Sequence, residues 1–329
     1  MKKLSLLVFS LSLILANVVG LTPLESAQAQ DLEEINLMLD WYPNANHIPI
    51  YMALEKGYFE DEGLKVNIQM PAKTDDPIRL VAANQTDIGI SYPSVLTKAR
   101  AEDLSVKTFG SLVQQRMDCI MFKKDSGIKT AKDLEGKNVG FASDPISESN
   151  TFAMVEADGG DPNKVTMTDV GWDLMPALAT DKVDAIIGAY VNHEYLMLQD
   201  QGYDMDLLKF EDFGIPESQE LIFIASEDTL NNRSDSLKKF MTALEKGYQT
   251  AKESPEEALD ILFSKEENAY TLDKKIEEQS WNMLLDFMVK DGSFGSVSGE
   301  QYEAYAQWLY DVGAISKEVK ADDLVAPLN

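Results

Sequence analysis

The chain has 329 residues with 56 Asp and Glu against 29 Lys and Arg, a formal charge of −27, which excludes a phosphate-backbone partner and electrostatic docking on anionic lipid. It is longer than the roughly 250–300 residues at which a single core stops growing, so two lobes are expected. The one cysteine, Cys119, lies in an apolar run and reads as a small buried hydrophobe; an intramolecular disulfide and a cysteine metal cluster are excluded.

Lys2 and Lys3 precede an apolar run, Leu4 to Val19, too short to span a bilayer comfortably and followed by a polar segment. That is the form of a secretory signal, so residues 1–29 are expected to be removed and the protein exported, periplasmic or extracellular. Ala27-Gln28-Ala29 offers the small-x-small cleavage site, with Val18-Val19-Gly20 an earlier alternative. Position 21 is leucine where a lipoprotein would carry cysteine, so no lipid anchor is expected.

Ile35 to Leu39 alternates and then turns apolar, as a largely buried strand does. Asp40 to His47 is a turn-forming cluster in which Pro43 fixes one φ angle and the Asn side chains can bond backbone. The apolar residues from Ile48 to Phe59 recur mostly at helical spacing, with Gly57 where a cap belongs, and Leu64 to Met70 reads as a second strand. This βαβ start puts Asp40, Trp41, Asn44 and His47 at the carboxyl end of the first strand, where open α/β sheets bind ligands. An aromatic plate beside an acid, an amide and an imidazole suits a flat, nitrogen-rich molecule.

The segments LDWYPNANH and YMALEKGYFEDEGLKV resemble the LDW-x-PN-x-x-H-x-x-x-Y and KGYF-x-x-EGL pattern of ABC transporter substrate-binding proteins for thiamine pyrimidine precursors, formylaminopyrimidine and hydroxymethylpyrimidine. The second segment is shared more widely with type II periplasmic binding proteins for nitrate, taurine and sulfonates. The resemblance implies a two-lobe α/β fold of the type II periplasmic binding protein kind, each lobe a mostly parallel sheet flanked by helices, joined by two crossings. It also implies a pyrimidine ligand, an ABC transporter permease as partner, and a part for Tyr51 beside the first loop. A monomer with no cofactor, catalytic residue or metal is expected.

Further along, Asp76 to Asn84 reads as a helix and Asp87 to Tyr92 as a short strand, whose tip places Ser91 and Tyr92 as a second ligand loop in the resembling proteins. A helix from Ser94 to Ala101 and a strand from Val106 to Val113 follow. The first crossing is expected at 123–127, and 132–141 resembles the opening of the second lobe in this superfamily. Its strand ends in Ala142 to Ser149, where Asp144 and Glu148 would repel a carboxylate, sulfonate or phosphate. Strands at Val165 to Val170 and Val183 to Ala189 flank a helix from Trp172 to Thr180.

The tip after the last of these strands, Tyr190 to Glu194, is similar to the aromatic–x–Asn–x–Glu tip of pyrimidine binders. Tyr190 is then a stacking plate paired with Trp41, Glu194 an acceptor for ring amines, and Asn192 a further contact. Leu208 to Ala225 resembles the return crossing, and four helical stretches between Asp235 and Val312 complete the chain. The expected division is 30–122 and 216–329 for lobe 1, and 123–215 for lobe 2. Two rival readings are a binding protein for riboflavin, taurine or another sulfonate, and an enzyme like the fungal pyrimidine synthases. The synthases carry a cysteine-rich segment that Cys119 alone cannot supply, and no nucleophile elbow, Walker loop or HExxH is present.

Overall fold

The computed structural model describes residues 32–142, 144, 146–266, 270–290 and 292–328; the expected signal segment lies outside them. The first strand, β1 (Glu33–Met38), runs parallel to β2 (Leu64–Gln69), and α1 (Ile48–Glu55) and α2 (Tyr58–Asp61) connect them. The helix expected to reach Phe59 divides at Gly57, whose φ of 72° is left-handed. Glycine adopts that conformation without the steric cost a Cβ would bring. Next come α3 (Asp76–Ala82), β3 (Ile88–Ser91), α4 (Pro93–Ala101) and β4 (Val106–Val113).

The second lobe comprises β5 (Asp118–Lys123), β6 (Asn138–Phe141), α5 (Ser147–Ala157), β7 (Thr166–Asp169), α6 (Leu174–Ala179), β8 (Ala185–Tyr190), α7 (Glu194–Asp200) and β9 (Met205–Leu208). The chain then returns through β10 (Leu221–Ser226) to the first sheet. The strand orders are β2-β1-β3-β10-β4 and β7-β6-β8-β5-β9. Each sheet is mostly parallel with one antiparallel strand, β10 in the first and β5 in the second. These are the two strands by which the chain arrives from the other lobe, which is why they run against their neighbours.

That pairing moves one expected boundary. The apolar run Cys119 to Phe122, assigned above to lobe 1, finds partners on both sides in β8 and β9, so β5 belongs to the second sheet. The segment expected to cross, 123–127, lies inside the second lobe, where Lys124 N–H donates to the Asp204 carbonyl (2.9 Å). The outgoing crossing is instead the stretch between β4 and β5, held where Gln114 and Gln115 N–H donate to the Phe287 carbonyl.

The remaining helices are α8 (Glu227–Asn232), α9 (Ser234–Glu253), α10 (Pro255–Phe263), α11 (Lys274–Phe287), α12 (Gly299–Asp311) and α13 (Ala321–Leu324). Ser226 starts α8 by accepting from Thr229 N–H (3.0 Å), a capping arrangement. The stripe Leu237, Phe240, Leu244 and Tyr248 of α9 is fully buried, each large side chain contributing about 1.5–3 kcal/mol. Phe240 stacks on Phe59 with centroids 5.2 Å apart. In α12, Tyr302 is buried and its hydroxyl donates to Gln219 Oε1 (2.9 Å), which fixes the return crossing against the helical layer. No helix among the described residues is long and apolar enough to cross a membrane.

Candidate functional site

A cavity of about 330 Å³ opens at the carboxyl ends of β1, β3, β6 and β8, lined from both lobes. On the first lobe, the turn after β1 is built by its own polar side chains. Asn44 Oδ1 accepts from Asn46 N–H (2.9 Å), and His47 Nδ1 accepts from Asn44 N–H (3.3 Å). Because Nδ1 is an acceptor, the neutral ring carries its proton on Nε2, which donates to Asp40 Oδ1 (2.9 Å). Tyr92 donates its hydroxyl to Asp40 Oδ2 (3.1 Å). An acid only 2 % exposed would cost several kcal/mol without such partners; here both oxygens are met.

The second-lobe wall centres on the start of α7. Glu194 Oε2 accepts from Tyr190 N–H (2.8 Å), and Oε1 lies 3.2 Å from His193 Nδ1. His193 Nε2 faces the Tyr270 hydroxyl (2.9 Å) and Glu277 Oε1 (3.6 Å), both from the first lobe. Burial pulls the imidazole pKa down, but Glu194 and Glu277 on its two sides outweigh burial and raise it to about 10. Burial pushes the Glu194 carboxyl up, and His193 more than reverses that, holding it below its ordinary value. His193 is therefore an imidazolium bridging acids of the two lobes.

Aromatic rings close the rest. Trp41 and Trp172 have centroids 4.2 Å apart, and Tyr42 stacks parallel on Tyr270 at 5.3 Å. The floor is acidic: Glu220 Oε2 accepts from Met117 N–H (2.5 Å) and Asp118 N–H (2.9 Å), while Asp118 Oδ1 accepts from Gly188 N–H (2.8 Å).

Six of the ten residues singled out from the sequence line the cavity: Asp40, Trp41, Asn44, Tyr92, Tyr190 and Glu194. The other four lie behind it. His47 is fully buried beneath Asp40, and Tyr51 packs in the first-lobe core. Ser91 is buried on β3 opposite Ile222 of β10. Asn192, 1 % exposed, donates from Nδ2 to Asn46 Oδ1 (2.9 Å) and Ser280 Oγ (2.8 Å), a brace between lobes.

Sequence reasoning missed Asn46, Asp118, Trp172, His193, Glu220 and Tyr270. Trp172 follows the end of β7, a strand-end position that could have marked it. Glu220 stood inside the expected crossing, and Tyr270 comes from an irregular segment with no periodic pattern. Asp144, flagged as an anion-repelling charge, does line the cavity, whereas Glu148 is exposed outside it.

Residues 44–258 match the family model described as NMT1/THI5 like. The chain belongs to the NMT1/THI5-like family. The chain is 36 % identical over 318 residues to a formylaminopyrimidine-binding protein of Halalkalibacterium halodurans, covering 95 % of this chain and 96 % of that one. It is 26 % identical over 231 residues to a 4-amino-5-hydroxymethyl-2-methylpyrimidine phosphate synthase of Legionella pneumophila, covering 69 % and 72 %. Among solved structures, the periplasmic aliphatic sulphonate binding protein SsuA of Escherichia coli superposes with a TM-score of 0.71 at 15 % identity, over 89 % of this chain and 92 % of that one. The two-lobe architecture is thus that of periplasmic binding proteins, as the motifs implied.

The site of this NMT1/THI5-like chain is rich in acids. Asp40, Asp75, Glu102, Asp118, Asp144, Glu194 and Glu220 all line the cavity, against Lys98, Arg79 and the His193 imidazolium. Arg79 already pairs with Asp75 (3.1 Å). Such a wall favours a flat ligand that donates hydrogen bonds and disfavours an anion.

Proposed function

We propose that the exported chain binds an aminopyrimidine between its lobes and delivers it to an ABC importer, without turning it over. The observation that carries this reading is the cavity wall, with Asp40 and Trp41 from one lobe and Tyr190 and Glu194 from the other. A pyrimidine bearing an exocyclic amine offers donors to the carboxylates and a ring face to the aromatics. The 36 % identical relative carries formylaminopyrimidine binding in its name, which supports the same class.

Sulphonate binding in a structural neighbour does not carry over, because the fold alone is shared and seven carboxyls line this cavity. The synthase names of more distant relatives are met by Cys119, 1 % exposed within β5, which is placed for packing. Native mass spectrometry of gently purified protein should show a retained ligand with the mass of an aminopyrimidine. A retained sulfonate or flavin would overturn the reading.

A further inference from the structure

Asp40 and Glu194 have their charge met inside the protein, the first by His47 and Tyr92 and the second by the His193 imidazolium. Glu220 accepts from the Tyr190 hydroxyl and from backbone, and Asp118 from backbone, but neither has an ion pair among the described residues. Arg116, the basic side chain that acts on both through space, gives its guanidinium to Glu211 (3.2 Å) and Ser218 Oγ (2.6 Å). Two adjacent carboxyls, supported by backbone N–H groups, thus line the cavity without a cation of their own. A carboxyl that lines the cavity can also accept from a donor placed there, so a ligand bearing N–H groups is a natural partner for the pair.

We propose that Asp118 and Glu220, one from each crossing, read the ligand's amidine edge, the exocyclic amine together with the ring nitrogen beside it. This rests on the aminopyrimidine reading above and names residues and an edge that reading does not require. Burial raises the pKa of both groups, and the charge of Glu220 raises Asp118 further. The Tyr190 hydroxyl and Arg116 act the other way on Glu220, and Asp144 adds to the negative field at Asp118. Burial and mutual repulsion both push the pair toward its protonated form.

A carboxyl pair with one member protonated presents one O–H donor and several lone pairs. The amine N–H then donates to the ionised oxygen while the ring nitrogen accepts from the protonated one, and no proton enters or leaves. The placement also ties recognition to the hinge. Glu220 immediately precedes β10 and Asp118 begins β5, and Glu220 already grips the Met117 and Asp118 amides. A ligand held there touches both crossings at once.

The test is calorimetric titration with 4-amino-5-hydroxymethyl-2-methylpyrimidine and with its isostere carrying methyl in place of the 4-amine. The parent should bind the methyl isostere on the order of a hundredfold more weakly, because a site built for an N–H is left with an unmet acceptor. Asp118→Asn and Glu220→Gln should each weaken binding of the amine by about tenfold or more and narrow its preference over the isostere. Asp118→Asn keeps an oxygen for the Gly188 amide, so its melting should stay near the parent's and separate recognition from folding. Equal binding of both rings by the parent, or parental affinity in both variants, overturns the role of the pair. Failure of the parent to bind either ring overturns the aminopyrimidine reading itself, and this proposal with it.

Discussion

Trp172 of the second lobe meets Trp41 of the first with ring centroids 4.2 Å apart and planes inclined by 46°. Neither ring is fully buried, and both line the cavity, so the contact closes one wall of the site across the lobes. Changing either to alanine removes stacking worth about 0.5–1.5 kcal/mol beyond the lost apolar area, enough for about a tenfold or greater loss of aminopyrimidine affinity. Melting without ligand should shift much less than binding. Titration and thermal scans of both variants check this, and two variants that bind normally would remove the aromatic wall from the account.

In the proposed reading, Glu194 couples the ligand to closure. Its carboxylate caps the Tyr190 amide and faces the His193 ring, while His193 reaches Tyr270 and Glu277 on the other lobe. A ligand shifts a conformational equilibrium by its differential affinity for the two states, so contacts made from both lobes supply the free energy of closing. Glu194→Gln should weaken binding while sparing the fold. Small-angle scattering should show ligand-induced compaction in the parent and less in the variant.

The bridge at His193 carries a pH dependence whose sign follows from its shift. The folded imidazole titrates near 10, above the ordinary 6.5, so its stabilisation is fully present below about pH 6.5 and is lost as pH rises through about 10. The parent should melt above His193→Gln at pH 6, and the gap should close by about pH 10–11. Thermal scans of both proteins across that window measure it; a gap independent of pH would mean that the ring is not charged in the folded protein.

The sequence disclosed the βαβ start, the second-lobe rhythm and six cavity residues because each sits at a strand end, where alternation stops and polar side chains cluster. The four that lie behind the cavity were chosen by the same pattern. His47 and Asn192 spend their polarity on bracing loops, to Asp40 and to Asn46 with Ser280, and no spacing in a single chain separates a brace from a contact. β5 was misassigned because an apolar run shows that a strand is buried but not which sheet receives it. Asp118, Glu220 and Tyr270 become neighbours only through the crossings and the docking of the helical layer, contacts between residues far apart in sequence.

Packing around Gly247 gives a stability test remote from the site. A Cβ there would lie 2.3 Å from the Pro49 carbonyl oxygen and 2.8 Å from Ala53 Cβ, so α9 and α1 approach at this point as only glycine permits. Alanine would gain about 1 kcal/mol of helix propensity, but forcing the helices apart costs about 1–3 kcal/mol or more. Gly247→Ala should therefore lower the denaturation midpoint in urea. A stabilised variant would show that the helices separate freely.

The central claim is that an aminopyrimidine is the ligand of the cavity formed by Asp40, Trp41, Tyr190 and Glu194. Calorimetric titration of the protein lacking residues 1–29 with formylaminopyrimidine, riboflavin and taurine tests it most directly. The account predicts saturable one-to-one binding of formylaminopyrimidine, lost or strongly weakened in Glu194→Gln, and no binding of taurine. Tight binding of taurine with no heat from the pyrimidine would contradict it.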